Sequence, residues 1–361
     1  MKATRTLHDE GQSLWLDNIT RDLLQSGTLK RYISDLSVTG LTSNPTIFDH
    51  AIKNSSSYDA AIRKKAKEGK SGEDLFFELA IEDVTRAADL FRPIWDRTHG
   101  VDGWVSLEVS PVLAHDTAST LAAAKALHAR AGRPNLFIKI PGTKEGLPAI
   151  EEAIFAGIPI NVTLLFSHQQ YLAAAEAFVR GIERRVDAGM DPEVGSVASV
   201  FISRWDTAVK DKVPAGLRNE LGIAIAKKTY KAYRTLLGSP RWQRVFNEGA
   251  RPQRLLWAST GTKDPGASDV LYVKSLAAPF TVNTMPEGTL KALADHGSLG
   301  GVLTADGGDS EEVLARFATA GVDVNALATR LQDEGAKSFV GSWTELMDVI
   351  ASKTAALDKA S

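Results

Sequence analysis

The chain contains no cysteine among its 361 residues. It therefore has no disulfide framework, no thiolate ligand for zinc and no cysteine nucleophile, and we expect a reducing, cytoplasmic environment. No stretch approaches 18 uncharged apolar residues, and the first 20 residues contain no apolar signal segment. The sequence thus predicts no attachment to a membrane.

Neither sign of charge dominates, because 42 Lys and Arg residues are set against 44 Asp and Glu residues. Such a mixture gives no electrostatic footprint for nucleic acid or an anionic membrane surface. The basic run at 63–70, RKKAKEGK, is typical of a solvated helix face. The seven histidines include no HxxxH or comparable ligand pair, so no metal site is predicted.

Short apolar runs alternate along the chain with longer helical patterns. Segments 72–91, 117–131 and 167–183 have helical periodicity, and Ser167 and Gln170 form a possible capping box for the third. The apolar runs occupy residues 14–18, 38–45, 103–109, 135–140, 158–165, 194–202, 254–259 and 279–284.

Strands that are apolar on both faces and alternate with helices predict a parallel sheet covered by helices. Eight such units fit a closed (β/α)8 TIM barrel of the α/β class better than an open sheet. We expect one domain over 1–361, with additional helices around 46–100 and 286–361, since no linker or repeat divides the chain.

Each apolar run ends in polar residues, and the carboxyl ends of barrel strands are where barrel enzymes place their chemistry. If the sheet closes, these scattered positions converge on a single site. The residues are Asp17, Asn44, Glu108, Lys139, Asn161, Thr163, Ser199, Ser259 and Asn283.

Lys139 is unusual because it lies within the apolar segment NLFIKI. Alternation places Phe137 and Lys139 on one face of this strand. If that face is interior, burial disfavours the ammonium form and leaves free amine, which forms a Schiff base with a ketone or aldehyde. A surface lysine at a strand end, or a structural ion pair with Glu108 or Asp17, is the alternative.

The motifs of several segments resemble those of transaldolases, and LLWASTGTKDP with VNTMP is similar to the longer bacterial branch of that family. The other segments are LWLDNI, GLTSNPTIF, VSLEVSP, LFIKIPGT, GIPINVTLLFS and VASVFISRWD. The resemblance implies a barrel enzyme of the non-oxidative pentose phosphate pathway that needs no cofactor. Such an enzyme transfers a dihydroxyacetone unit from a ketose phosphate to an aldose phosphate through a Schiff base.

The same resemblance implies roles for four catalytic residues. Lys139 matches the Schiff-base lysine, and Asp17 matches the aspartate that takes the proton from the C4 hydroxyl during cleavage. Glu108 matches the glutamate that acts through a water during imine formation, and Thr163 would hold that water. The division is chemically reasonable, because an amine that is covalently occupied needs separate acid and base groups.

The resemblance also implies a pocket for the three-carbon unit. Asn44 and Asn161 match asparagines that bind its hydroxyl groups, and Ser199 and Phe201 match residues that line the pocket.

Phosphate binding is where the sequence departs from the shorter transaldolases. Arg204 matches an expected arginine, although Ser203 precedes it instead of the usual glycine. Ser259 is followed by no arginine two positions later, so Lys263 is our substitute for the second cation. A solvent-facing loop lysine is the alternative at that position.

Two other functions stay open at this point. A Schiff-base aldolase that acts on fructose 6-phosphate and releases free dihydroxyacetone would share Lys139, and a non-catalytic sugar-phosphate sensor would not need it. We expect a monomer or homodimer. Residues 337–357 carry a helical stripe that predicts a helix packed on the barrel wall, or one that also covers the mouth of the site.

Overall fold

The computed structural model describes residues 2–359, with side chains described to residue 357. In this part of the chain eight parallel strands form a closed barrel in sequence order. The strands are β1 (Gln12–Asp17), β2 (Val38–Thr42), β3 (Val105–Glu108), β4 (Leu136–Pro141), β5 (Ile160–Leu165), β6 (Ser196–Phe201), β7 (Gln253–Ala258) and β8 (Thr281–Met285). The (β/α)8 barrel predicted from the alternation is confirmed, and each strand falls within or beside its predicted run.

Helices surround the barrel and fill the connections between strands. The first eight are α1 (Ala3–Asp9), α2 (Arg21–Gln25), α3 (Thr28–Asp35), α4 (Pro45–Asn54), α5 (Asp59–Lys67), α6 (Gly72–Arg97), α7 (Thr117–Ala131) and α8 (Gly146–Phe155). The others are α9 (His168–Asp187), α10 (Ser203–Val209), α11 (Leu221–Leu237), α12 (Pro240–Asn247), α13 (Leu271–Ser275), α14 (Glu287–His296), α15 (Ser310–Thr319) and α16 (Val324–Lys359). Short 3₁₀ turns occupy Pro111–Leu113 and Ala215–Leu217.

Three predicted helices are present, and their ends follow local signals. The capping box of Ser167 and Gln170 is formed at the start of α9. Helix α6 continues through Pro93 to Arg97, six residues beyond the predicted pattern. Because Ile94 is buried in this last turn, its packing offsets the hydrogen bond that proline cannot donate.

The barrel interior below the strand ends is filled by aromatic side chains. Phe137 stacks on Trp104 with ring centroids 4.0 Å apart, and Trp15 lies 6.1 Å from Phe137. Gly40 makes room for Trp15, since a Cβ there would lie 2.5 Å from the indole nitrogen. Alternation from Phe137 therefore directs Lys139 into the barrel, one layer above this aromatic floor.

Helix α16 is longer than the predicted segment 337–357. Its buried stripe begins with Leu327 and Leu331 and continues through Phe339 and Trp343. Trp343 packs edge-on against Phe76 of α6, with centroids 5.0 Å apart. The helix crosses from the β5 side of the barrel to the helices that follow β2, where it packs against α4, α5 and α6.

Candidate active site

Lys139 lies at the centre of the carboxyl end of the barrel and is 5% exposed. The register places it level with Glu108 of β3 on one side and Asn161 of β5 on the other. Its Nζ donates to the carbonyl of Ser43 at 3.0 Å and lies 3.2 Å from a Glu108 oxygen. The lysine is therefore not on the surface, and the ion pair with Glu108 exists, which by itself fits either a structural or a catalytic role.

Glu108 is 4% exposed and has unused hydrogen-bonding capacity. Neither of its carboxylate oxygens accepts a well-aligned hydrogen bond from the described side chains or backbone. Burial raises the pKa of Glu108, against the attraction of Lys139, and the nearby Asp17 raises it further. A carboxyl with a raised pKa retains a proton more readily, so Glu108 can act as a general acid beside the amine.

Asp17 ends β1 at the same level of the barrel and is half-buried. Burial raises its pKa, and Lys139, a hydrogen bond from Thr42 and Lys263 oppose that rise in decreasing order. Thr42 donates to Asp17 at 2.8 Å, and its hydroxyl also lies 2.6 Å from that of Thr284. Two carboxyl groups and one amine thus share one end of the barrel.

Asn161 has its amide fixed by two side chains, one on β3 and one on β6. It donates to the hydroxyl of Ser106 at 3.0 Å and accepts from Ser199 at 2.7 Å. Thr163 lies farther along the same strand, is fully buried, and has a hydroxyl without a partner among the described residues. A buried unpaired hydroxyl in an enzyme-like site is available to bind water or substrate.

Asn44 has a structural use that limits its chemistry. Its side-chain oxygen caps α4 by accepting from the backbone N–H of Ile47 at 3.1 Å, with Pro45 as the first helical residue. Asn44 also borders a cleft of about 550 Å³ at the barrel mouth. Its amide nitrogen is therefore free to contact a bound molecule, whereas its oxygen already accepts one hydrogen bond.

Arg204 borders the same cleft and is half-buried. Its guanidinium lies 5.1 Å from the ring centroid of Phe201 and 5.8 Å from that of Phe339 on α16. Burial lowers the pKa of Arg204, and within residues 2–357 no carboxylate or hydrogen-bond acceptor pairs with it. An unpaired, half-buried guanidinium held between aromatic rings is suited to binding an anion.

Ser259 follows β7 with a positive φ of 56°, and it is tied to the residue before Arg204. The hydroxyls of Ser203 and Ser259 lie 2.9 Å apart, and the Ser203 N–H donates to the Ser259 carbonyl at 3.0 Å. Ser203, which stands where glycine was expected, therefore has a defined partner and helps to fix the ends of β6 and β7.

Lys263 is exposed and lies in a different cleft from Arg204. That cleft has a volume of about 260 Å³ and also contains Asp206, Arg218 and Asp264. The two cations expected to share a phosphate are thus in separate depressions, although Lys263 is near enough to lower the pKa of Asp17.

Three site residues escaped the sequence analysis: Thr42, Ser106 and Thr284. Thr42 contacts Asp17, Ser106 contacts Asn161, and Thr284 contacts Thr42. Threonine and serine are ordinary strand residues, so they gave no separate signal. Asn283, by contrast, lies on the other face of β8 and accepts a hydrogen bond from Thr260 at 2.9 Å. Alternation from the inward Val282 would have selected Thr284, not Asn283.

The arrangement can perform amine chemistry on a carbonyl compound. A buried lysine, two carboxyls with raised pKa values and an unpaired buried hydroxyl meet in one place. Among the described residues no group of three or more His, Cys, Asp or Glu is arranged to hold a metal ion. Within the described part of the chain, no helix has the length and apolar character needed to cross a membrane.

Comparison with known proteins connects this geometry to a family. Residues 14–350 match the family model described as transaldolase/fructose-6-phosphate aldolase. A transaldolase of Acidothermus cellulolyticus is 45% identical, over 97% of this chain and 95% of its own length. A transaldolase of Thermobifida fusca is also 45% identical, over 97% of this chain and 98% of its own.

Another relative, a transaldolase of Saccharopolyspora erythraea, is 44% identical over 95% of each chain. Among solved structures, a chain from Coccidioides immitis assigned as a fructose-1,6-biphosphate aldolase is 12% identical, with a TM-score of 0.29 over 97% of this chain and 94% of that one. On the family model and the near full-length relatives, the chain belongs to the transaldolase/fructose-6-phosphate aldolase family.

Proposed function

We propose that the chain is a transaldolase, a transferase that moves a dihydroxyacetone unit between sugar phosphates. The donor is a ketose phosphate, sedoheptulose 7-phosphate or fructose 6-phosphate, and the acceptor is glyceraldehyde 3-phosphate or erythrose 4-phosphate. The observation that carries the proposal is the buried Lys139, 3.2 Å from Glu108 at the carboxyl end of the barrel, in a chain matched almost end to end by transaldolases.

In the first stage the Lys139 amine attacks the C2 carbonyl of the donor and forms a carbinolamine. Loss of water from that adduct gives the imine. Glu108 supplies and removes protons through a water held at Thr163, whose buried hydroxyl has no other partner among the described residues. The raised pKa of Glu108 favours its protonated form, which is the form that assists departure of hydroxide.

In the second stage Asp17 takes the proton from the C4 hydroxyl while the C3–C4 bond breaks. The electron pair of that bond moves into the imine and gives an enamine, and the aldose phosphate leaves as an aldehyde. The enamine then attacks the acceptor aldehyde, Asp17 returns the proton to the new hydroxyl, and water hydrolyses the resulting imine, which releases the new ketose phosphate and frees Lys139. Thr42 holds Asp17 for both transfers through its 2.8 Å hydrogen bond.

The binding roles follow the positions of the remaining side chains. The Asn44 nitrogen and the Asn161 amide contact the hydroxyls of the three-carbon unit, with Ser199 and Phe201 lining the pocket. Arg204 is the principal phosphate ligand, because it has no anionic partner in residues 2–357. Ser259 and Lys263 complete the phosphate site, with Lys263 the weaker contributor because it is exposed and lines a different cleft from Arg204.

We also propose that the chain forms a single domain, acts in the cytoplasm as a monomer or homodimer, and needs no cofactor. The pairing of β1 with β8 and the packing of α16 on α4 support a single domain, since both join distant parts of the sequence.

The alternative function is a fructose 6-phosphate aldolase that releases free dihydroxyacetone. One assay separates the two activities: fructose 6-phosphate is supplied with and without erythrose 4-phosphate, and sedoheptulose 7-phosphate, glyceraldehyde 3-phosphate and free dihydroxyacetone are measured. A transaldolase makes sedoheptulose 7-phosphate and turns over only when the acceptor is present; without it, glyceraldehyde 3-phosphate stops at one equivalent per enzyme. Continuous formation of free dihydroxyacetone without acceptor would establish the aldolase, and no turnover of any kind would leave a sugar-phosphate sensor.

A further inference from the structure

One face of α16 lies against the strand ends that carry the proposed catalytic groups. Gln332, Gly335 and Phe339 share this face at helical spacing. A Cβ at Gly335 would lie 3.0 Å from the Leu164 side chain and 3.2 Å from the Arg204 guanidinium, so the backbone of the helix approaches both closely. The helix therefore borders the site rather than packing only on the outer wall.

Gln332 makes the polar contact between this helix and the barrel. Its side-chain nitrogen donates to the Gly142 carbonyl at 3.0 Å and to the Leu164 carbonyl at 2.9 Å. Gly142 directly follows β4, the strand of Lys139, and Leu164 lies near the end of β5, the strand of Thr163. A single amide thus joins the ends of two neighbouring strands.

The strand at the second contact is irregular at that point. Leu164 has a positive φ of 59°, and the register between β5 and β6 shifts between Val162 and Leu165. Bulges of this kind turn side chains toward a new direction and store strain. Leu164 belongs to the same apolar cluster as Leu331 and Phe339 of α16, while the preceding Thr163 keeps its hydroxyl buried.

The two strands are also joined directly beside the amide of Gln332. The Gly142 N–H donates to the Thr163 carbonyl at 2.8 Å, and Pro141 is paired with Thr163 in the register. Movement at Gly142 or Leu164 would therefore be transmitted to the Thr163 backbone. It would also reach Lys139, which lies on the same strand two residues before Pro141.

We propose that Gln332 is a positioning residue for imine formation. By bonding both carbonyls it holds the strained bulge at Leu164 in register with the strand of Lys139, so that the Thr163 hydroxyl and the amine keep a fixed separation. A misplacement of about 1 Å in such a group can cost about 10²-fold in rate. The inference rests on the proposed Schiff-base function and assigns Gln332 no contact with substrate.

The experiment measures the rate at which borohydride traps the fructose 6-phosphate adduct in rapid-quench samples of the full-length protein. Gln332→Met keeps the side-chain length and removes both donated hydrogen bonds, so we expect its rate of imine formation to fall about tenfold or more. Gln332→Lys keeps N–H donors, and its rate should stay within about threefold of wild type. KM for the donor should change less than kcat in Gln332→Met, since ground-state contacts are retained.

Asp333→Asn is the matched control, since Asp333 is the exposed neighbour on the same helix, and it should trap the adduct at the wild-type rate. Rates are normalised to the folded fraction measured by circular dichroism, so that a loss of folding is not counted as slow chemistry. A Gln332→Met rate equal to wild type, or equal losses in Gln332→Met and Gln332→Lys, would overturn the positioning role. Absence of any adduct in wild type would instead overturn the proposed function itself.

Discussion

Asp102 and Glu108 lie at opposite ends of the segment that contains β3, and both carboxylates are buried. Asp102 precedes β3 and accepts hydrogen bonds from the Ser13 hydroxyl, from the Trp15 indole at 2.9 Å and from the Gly103 N–H at 3.0 Å. Glu108 ends β3 and accepts no well-aligned hydrogen bond from the described residues. Its one close partner is the Lys139 ammonium at 3.2 Å.

The difference distinguishes a carboxylate with a structural role from one that is available for chemistry in the same barrel. A buried carboxylate whose acceptors are occupied stabilises the fold, whereas one left with unoccupied acceptors costs stability and is retained for another reason. Asp102 at the amino end is of the first kind, and Glu108 at the carboxyl end is of the second. Substitutions at the two ends should therefore fail in different assays.

The largest effect is expected at Lys139. Lys139→Met removes the only nucleophile proposed at the carboxyl end, so turnover should fall by about 10⁴-fold or more. Borohydride with fructose 6-phosphate should leave a three-carbon adduct on the 135–143 peptide of wild type and none on the variant, as read by peptide mass mapping. An adduct on a different lysine would contradict the assignment.

Glu108→Gln and Asp17→Asn should each reduce kcat by about 10²–10⁴-fold, but at different stages. Glu108→Gln should form the imine slowly, while Asp17→Asn should form it readily and then cleave the C3–C4 bond slowly. Because the pKa of Glu108 is raised, the rate of imine formation in wild type should depend on protonation of Glu108. That pH dependence should be absent in Glu108→Gln. Rapid-quench kinetics across pH would measure both, and identical behaviour of the variants would mean that a role is misassigned.

At the other end, Asp102→Ala should lower the free energy of unfolding by about 4 kcal/mol, because three buried donors lose their acceptor. The kcat of the folded fraction should be unchanged. Urea unfolding and active-site titration would separate the two quantities. Asp102→Asn, which keeps one acceptor oxygen, should lose less stability than Asp102→Ala, and a fall in kcat with unchanged stability would reverse the comparison.

Asp206 tests whether location or hydrogen bonding decides the role of a carboxylate. It lies at the carboxyl end yet accepts bonds from Tyr272 at 2.8 Å and from the N–H groups of Leu221 and Gly222 at 2.9 Å and 3.2 Å. Burial raises its pKa from 3.8 to about 6. Because its pKa is raised, Asp206 binds a proton more tightly in the folded state than in the unfolded chain. The resulting contribution to the free energy of unfolding is fully present below pH 3.8 and is lost as pH rises through about 6.

Relative to Asp206→Asn, the wild type should therefore lose about 3 kcal/mol of unfolding free energy between about pH 4 and pH 7. Urea unfolding of both proteins at several pH values would measure the difference. A difference that does not vary with pH would show that Asp206 does not titrate in this range. Catalysis by the folded variant should remain near wild type.

The smallest effects are expected at the phosphate ligands. Arg204→Ala should weaken binding of phosphorylated donors by about 2 kcal/mol, which raises KM about 30-fold. Lys263→Ala should weaken it by about 1 kcal/mol, and kcat should change less than KM in both variants. Steady-state kinetics with fructose 6-phosphate would measure both. Unphosphorylated fructose should be a poor donor for wild type and hardly worse for either variant. A normal KM in Lys263→Ala would remove the loop after β7 from the phosphate site.

The sequence predicted what depends on local pattern. Alternation of apolar residues located the eight strands, and the odd polar residue in NLFIKI located Lys139. It could not tell which face of β8 is inward, so Asn283 was chosen and Thr284 was overlooked. Nor could it separate Lys263 from the cleft of Arg204, because loop conformation depends on contacts across the fold.

Residues whose contacts span long sequence separations also could not be identified from the sequence. Gln332 contacts Gly142 and Leu164, which are far from it in sequence, and helical periodicity says nothing about what a polar residue on a helix will meet. The positive φ of Leu164 had no signal either, because leucine rarely adopts that conformation.

The pairing of β1 with β8 has a consequence for how the chain reaches this fold. Residues 12–16 meet residues 281–285, so the first strand cannot complete its hydrogen bonds until the last strand has been synthesised. During translation β1 is an unpaired edge strand, as is the most recently made strand at the other margin of the sheet. Contacts of such long sequence separation form slowly, and partly built sheets are prone to aggregation. The polar site at the carboxyl end adds little to the stability of those intermediates. Burial of the apolar sheet surface by the helices is therefore their main stabilisation until β1 pairs with β8.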